Sequence, residues 1–306
     1  MARLLLGVAA LIASSVALAP PSNGGWYRLP TPAAYSQRVA NARDGTTTSI
    51  SEAISKQPGY SLVVLGTYPS DFNMIEYGQN LRYYLPELKE RGVTKVVAVV
   101  NGNAQAVVQM ADMLDLPPAD SVELLADPSG ALGREWGVSR GWLPDAALPA
   151  YAKLFGMLLG LGALATLPSV ITGYLGNPKG KNGWIAAAIQ QGQAAGRWPD
   201  NVITDDGGNK FDDLPVVGAW GRRPLELATL RLQNMIGVSI NNWDALKPVD
   251  DRCLTQLGGC ALFDEQNELT FFWRDNGICN VADFDALLEA LPAGAIPSAP
   301  GALATA

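Results

Sequence analysis

The thiols of this 306-residue chain, Cys253, Cys260 and Cys279, all fall in its last fifth. No Cys-x-x-Cys pair occurs, and an odd number of cysteines cannot form a closed disulfide framework. Two readings stand for them. They are small buried hydrophobes with at most one incidental disulfide, or they hold a redox pair such as Cys253–Cys260 or Cys260–Cys279. Histidine is absent altogether. That removes Ser-His-Asp and Cys-His triads, the usual zinc sites, haem ligation through His and imidazole acid–base catalysis. Carboxylates, thiols, tyrosine, lysine, arginine and backbone amides remain. The acidic string Asp205-Asp206-Gly207-Gly208-Asn209 with Asp212-Asp213 lacks the register and terminal Glu of a calcium loop and reads as a solvated turn. No metal or cofactor site is read from the sequence.

The elements that would position such groups follow from hydrophobic spacing. Ser61–Leu65 and Lys95–Val100 are short apolar, β-branched runs that predict buried strands, and Val122–Ala126 predicts a third. Met74 to Arg91 carries Ile75, Leu81, Tyr84, Leu85 and Leu88 at helical spacing. Pro86 inside it predicts a kink near Arg82, and Gly92 a C-cap. Asn103 to Leu114 predicts a second helix and Ala131 to Trp136 a short third, after the turn Asp127-Pro128-Ser129-Gly130. Much later come Cys260–Asp264, a turn at Glu265-Gln266-Asn267, an alternating arm over Glu268–Arg274 and a last helix over Val281 to Leu291. Strand–helix–strand–helix–strand implies parallel pairing. The whole is an α/β, thioredoxin-like order (βαβαβα…ββα). A long, mostly helical insertion, residues 148–247, precedes the C-terminal hairpin.

Local strings agree with that order. Tyr84-Leu85-Pro86-Glu87-Leu88-Lys89-Glu90-Arg91-Gly92-Val93 resembles the first helix of peroxiredoxin-like proteins. Leu125-Ala126-Asp127-Pro128-Ser129-Gly130-Ala131-Leu132, with Trp136-Gly137-Val138, resembles their strand, Asp-Pro and helix segment. Gly258-Gly259 before the hairpin and Arg274-Asp275-Asn276-Gly277-Ile278 after it fit as well. The string from Arg223 to Met235 (RPLELATLRLQNM) is similar to a signature of peroxiredoxin-like proteins of oxygenic phototrophs, within the alkyl hydroperoxide reductase/thiol-specific antioxidant superfamily. The resemblance spans about residues 57–291, taken as the thioredoxin-like domain.

The resemblance implies a redox cysteine between the first strand and first helix, where a helix N-terminus stabilises a thiolate. Here that stretch reads Thr67-Tyr68-Pro69-Ser70-Asp71-Phe72-Asn73-Met74. Counting back from Pro86 puts Asp71 and Met74 where the cysteines would lie, and neither forms a sulfenic acid or a disulfide. Conventional thiol peroxidase chemistry is therefore not expected. Ser70 or Asp71 is an acid–base or ligand group in the vacated pocket, or a helix N-cap. Thr67 stands where such folds place an oxyanion-binding hydroxyl. In a sheet of this type Cys260 and Cys279 are expected away from the first helix. Arg231, Gln233 and Asn234 are polar groups in an apolar segment. With Arg274 nearby they bind an anionic group, or they form a buried network that pins the insertion to the core.

Leu154 to Leu175 holds no charge, but Pro168 and its glycines argue against a membrane span. The unbroken part, Leu154 to Leu167, suits a core or interfacial helix, with Gly156 and Gly160 as a small-residue packing face. Trp184, Trp198 and Trp220 follow within the insertion. Residues 1–19 read as a signal peptide, with Arg3, an apolar run from Leu4 and Ala17-Leu18-Ala19-Pro20. Residues 20–50 are rich in Ser, Thr, Pro and Ala, with Arg28, Arg38 and Arg43, and read as a disordered, transit-peptide-like stretch. Together they resemble the bipartite presequence of complex plastids; the alternative is a secreted protein with a disordered linker. Residues 292–306 are expected to be a disordered tail. The net charge of -7 excludes nucleic acid as a partner. The expected function is binding: a plastid protein holding a small ligand in the vacated pocket, or a structural partner of the thylakoid membrane or a photosynthetic complex through residues 154–175. The alternative is a thiol oxidoreductase using the C-terminal cysteines.

Overall fold

The computed structural model describes residues 30, 32–55, 58–118, 120–175, 183–197 and 234–292. Arg231, Trp198, Trp220, the Asp205–Asp213 stretch, residues 1–29 and the tail from 293 lie outside the described residues.

In chain order the elements are α1 (Pro32–Ser36), β1 (Arg38–Asn41), β2 (Thr47–Ser49), α2 (Ile50–Ile54), β3 (Tyr60–Leu65), α3 (Phe72–Glu90), β4 (Val93–Val100), α4 (Ala104–Met113), β5 (Glu123–Ala126), α5 (Ala131–Glu135), α6 (Ala150–Leu158), α7 (Thr166–Leu175), α8 (Gly183–Ala194), α9 (Trp243–Leu246), β6 (Gly259–Phe263), β7 (Leu269–Arg274) and α10 (Phe284–Glu289). A 3-10 turn, Asp251–Leu254, precedes β6. The strands form one sheet in the order β2-β1-β5-β4-β3-β6-β7. β3 runs parallel to β4 and β4 to β5, while β6 and β7 return antiparallel. This is the thioredoxin-like arrangement expected from the order of apolar runs.

Both faces of the sheet are covered, so its central strands are apolar over most of their length, polar residues such as Thr94, Lys95 and Glu123 falling at the starts of the strands, and they alternate in the core they feed. Leu62, Val64, Val96, Ala98, Cys260 and Leu262 point to a core shared with α3, α4, α8 and α10. Val63, Leu65, Val97, Val99, Ala261 and Phe263 point to a second core under α1, α2 and α5, filled by Trp136.

Four expectations are corrected here. The domain does not begin at residue 57. β1 pairs antiparallel with β5, Val39 and Ile50 enter the second core, and Ser49 with Glu52 closes a capping box on α2. The Arg and Thr residues there are the exposed side of folded elements: Arg38 bonds Glu52 at 2.7 Å. α3 runs unbroken through Pro86. One missing N–H is tolerated because Tyr84, Leu85 and Leu88 are packed in the core, and Tyr84 stacks on Phe284 of α10.

The apolar run 154–167 is not one helix. α6 ends at Leu158, and Gly160 takes φ +86°. The N–H of Gly160 donates to the Met157 carbonyl (2.9 Å) and that of Leu161 to the Gly156 carbonyl (3.0 Å), the paired bonds of a Schellman cap. Gly160 is thus a stop signal rather than part of a packing face, and only Gly156 meets a neighbour, the Trp142 ring. Among the described residues no helix is long and apolar enough to cross a membrane. The fourth correction concerns the cysteines, taken up below.

Candidate functional site

The first turn of α3 begins where β3 ends, at the edge of the sheet's central strands. Asp71 is its N-cap: the Asn73 N–H donates to Asp71 Oδ1 (2.8 Å), satisfying a helix-end donor. The hydroxyl of Thr67, fully buried, donates to the same oxygen at 2.9 Å. The Ser70 hydroxyl donates to the Leu246 carbonyl in α9 at 3.3 Å. Met74 turns into the core, its sulfur against Gly66. Of the four positions singled out here, Ser70 and Asp71 line a cavity; Thr67 supports Asp71 from behind, and Met74 is core.

That cavity, of about 210 Å³, is roofed by the insertion. Tyr68, Phe72 and Asp71 form its floor, Tyr151, Leu154, Phe155 and Leu158 of α6 one wall, and Ile240 and Trp243 the other. Tyr151 stacks on Trp243 (ring centroids 6.1 Å, 27°), and Trp243 meets Tyr68 edge-on (6.1 Å, 90°). Burial pushes the Asp71 carboxyl up to about 6, against the downward pull of the Asn73 N–H, the Thr67 hydroxyl and the Met74 N–H. The site therefore holds a carboxyl that changes charge just below neutrality in an aromatic-walled cleft, with no thiol at the helix start. It can pair a cation, accept a hydrogen bond or exchange a proton.

Behind the cavity lies a second, sealed cluster. Asp275 is fully buried and accepts from Asn73 Nδ2 (2.9 Å) and the Tyr77 hydroxyl (2.7 Å). The Tyr77 oxygen accepts from the Ala282 N–H (3.2 Å), and Asn73 Oδ1 accepts from the Cys279 N–H (2.7 Å). Burial is the main cause that carries Asp275 to about 7; Tyr77 and Asn73 pull it down. The network ties α3 to the segment after β7. Asn73, Tyr77 and the cavity aromatics were not legible as site residues. The one available signal was polar residues inside a helix otherwise read as amphipathic.

The cysteines stand closer to α3 than expected. Cys279, with φ +60°, has its backbone bonded to the first turn of α3 through Asn73 and packs beside Phe72. Cys260 in β6 faces the α3 core and feels the charge of Asp275. The antiparallel hairpin brings the end of β7 back to the top of β3, which a linear reading does not reveal. No disulfide joins the three. Burial, then Asp250, pushes the Cys253 thiol up to about 12, and burial pushes Cys260 well above the ordinary thiol range.

Of the remaining candidates, Arg231 lies outside the described residues, and Asn234 and Arg274 do not share a site. Asn234 is buried, donates to the Ala188 carbonyl (3.1 Å) and accepts from Arg197 (3.1 Å). Arg197 in turn bonds Gln191 (2.7 Å) and the Met113 carbonyl. This is the pinning network rather than an anion site. Arg274 lies toward the other face, over the Phe272 ring and donating to the Trp136 carbonyl at 3.1 Å.

A family model described as AhpC/TSA antioxidant enzyme matches residues 80–277, well over half of the chain. The match begins inside α3, so Ser70, Asp71 and Met74 precede it. No curated protein matches the chain. With the sheet order and the matched span agreeing, the chain belongs to the AhpC/TSA antioxidant enzyme family, with a peroxiredoxin-like, thioredoxin-type fold.

Proposed function

We propose that this protein works by binding at the start of α3, not as a thiol peroxidase. The observation that carries the reading is the first turn of α3: Ser70 and Asp71 line an open cavity there, and no cysteine precedes Cys253 anywhere in the sequence. A peroxidatic thiol must be accessible and held as thiolate, and Cys253 and Cys260 are buried with raised thiol pKa values. The test is intact mass after one equivalent of hydrogen peroxide. All three thiols should remain unmodified for minutes. Rapid appearance of a sulfenic acid or a disulfide would overturn the reading.

One observation favours a second reading. Cys279 is the least buried of the three, and its N–H bonds Asn73 in the first turn of α3. Were peroxide to oxidise the protein, Cys279→Ser should abolish the reaction, and Cys253→Ser should leave it intact.

For location, the proposal is a plastid protein held at the thylakoid surface. Its support is the leader-like composition of residues 1–29 and the charge-free stretch 154–175. Most of the exposed large apolar side chains among the described residues lie between Leu143 and Leu167, Leu164 being 86% exposed. Lys153, the charge next to the 154–175 stretch in sequence, is buried with its ammonium on the Pro144 carbonyl (2.8 Å), while Asp145 nearby is exposed and paired with Arg140. Such a surface suits interfacial contact rather than a span. Because α1 and β1 belong to the fold, a cleaved leader must end before Pro32. Cell fractionation checks this: the protein should sediment with thylakoids and be released by replacing Leu161 and Leu164 with Asp. Recovery in the soluble fraction would sink the location.

A further inference from the structure

The cavity at Asp71 has a chemical preference that can be read from its walls. A cavity of about 150 Å³ lined by apolar side chains admits benzene. This one, at about 210 Å³, leaves room for one ring and a short chain. Apart from Asp71 and the two serines, Ser70 and Ser239, its walls are aromatic and aliphatic, and its aromatic side is pre-arranged, since Trp243 already packs on both Tyr151 and Tyr68.

Charge decides what the polar end of an occupant must be. Asp71 is the one acid among the lining residues, and no Lys or Arg lines the cavity. Asp71 is only 9% exposed as a residue, its carboxyl accepts from the Thr67 hydroxyl and the N–H groups of Asn73 and Met74, and it forms no salt bridge shorter than 4 Å among the described residues. An empty helix N-terminus attracts anions. Here the N-cap carboxylate already occupies those N–H groups, so an incoming anion meets a negative charge in a poorly screened cleft. A cation meets that same charge together with electron-rich ring faces.

We propose that the cavity binds a small hydrophobic amine as its ammonium ion, the charge against Asp71 and the apolar body among Tyr68, Phe72, Tyr151, Phe155 and Trp243. The assignment rests on the binding reading above and gives it a ligand class. Near pH 7.5 Asp71 is ionised, because burial raises it only to about 6, and an alkylamine is protonated. Among occupants small enough to fit, the site therefore discriminates by charge.

The test uses three probes of one shape: phenethylamine, phenethyl alcohol and hydrocinnamate, titrated into the full chain at pH about 7.5 by calorimetry and Trp fluorescence. The amine should bind at least about tenfold more tightly than the alcohol, and hydrocinnamate should not bind through the low-millimolar range. Asp71→Asn should cost the amine about tenfold or more and leave the alcohol little changed. Asn caps a helix as well as Asp does, so the fold survives. Tyr151→Ser, at a side chain 66% exposed, should weaken the amine several-fold without touching the core. Equal or tighter binding of the alcohol or the carboxylate would overturn the proposal. So would an unchanged Asp71→Asn variant, or no saturation by the amine. Peroxide treatment of the same samples separates the two ideas: inert thiols with no amine binding remove the ligand class alone, whereas oxidised thiols remove the binding reading beneath it.

Discussion

Asp71 and Asp275 are two carboxyls at one helix start, raised by the same cause, and they do opposite work. Both touch the first turn of α3, Asp71 through the Asn73 N–H and Asp275 through the Asn73 side chain. Burial raises both, one to about 6 and the other to about 7. Asp275 is closed on every side, its two oxygens taken by Asn73 and Tyr77, and it joins α3 to the chain after β7. Asp71 has a cavity in front of it, walled by residues from the insertion. A raised carboxyl pKa therefore reports desolvation and not function. What makes one acid a site and the other a rivet is whether a neighbouring element leaves space.

The sharpest way to separate them is substitution, measured by urea unfolding at pH about 5, where both are largely protonated. Asp275→Ala orphans the Tyr77 hydroxyl and Asn73 amide inside the core and should cost about 3 kcal/mol. Asp71→Asn keeps the cap and should stay within about 0.5 kcal/mol of the parent. If the two losses were equal, the contrast between rivet and site would fall.

The pH profile offers a second separation, of roughly a few kcal/mol for each acid. The folded pKa values lie above the unfolded value near 3.9, so the folded state holds more protons between the two. Stability is then greatest at the acid end of this window and is lost as pH rises through about 6 for Asp71 and about 7 for Asp275. Unfolding free energies taken across the range should fall steeply up to about pH 6, more gently up to about 7, and then level off. Asp71→Asn should make the fall below about pH 6 shallower and leave the levelling near 7 in place. A flat profile would mean that neither acid is desolvated as described.

The smallest effect concerns the wall. Gly160 stops α6 at φ +86°, and a Cβ there would meet only the Ala163 carbonyl oxygen at 3.8 Å, an ordinary contact. Gly160→Ala therefore pays only the left-handed backbone penalty, about 1 kcal/mol. A loss near zero would show that the end of α6 readily rearranges and that the cavity wall is not fixed by this turn.

Much of this was legible in advance because it depends on local spacing. The apolar runs at 61–65 and 95–100 are buried on both faces, so they read as strands without any tertiary information. The hairpin turn at Asn267, with φ +61°, and the N-cap at Asp71 follow from side-chain chemistry. That no cysteine precedes Cys253 in this sequence is likewise read directly from it. Residues 32–54 were misread because short edge elements with an exposed side have the same composition as a transit peptide; only pairing of β1 with β5 distinguishes them.

By itself, then, the sequence determined the α/β order, the family and the fact that no cysteine precedes Cys253. Those properties rest on residue identity and on periodicity along the chain. Tertiary structure decided that Asp71 faces a cavity while Met74 does not, that Trp243, far along the chain, closes that cavity against Tyr151, and that Cys279 returns to α3. Those properties depend on contacts between residues far apart in sequence. Their spacing carries no period, because the distance that matters is set by how the insertion and the hairpin fold back on the sheet.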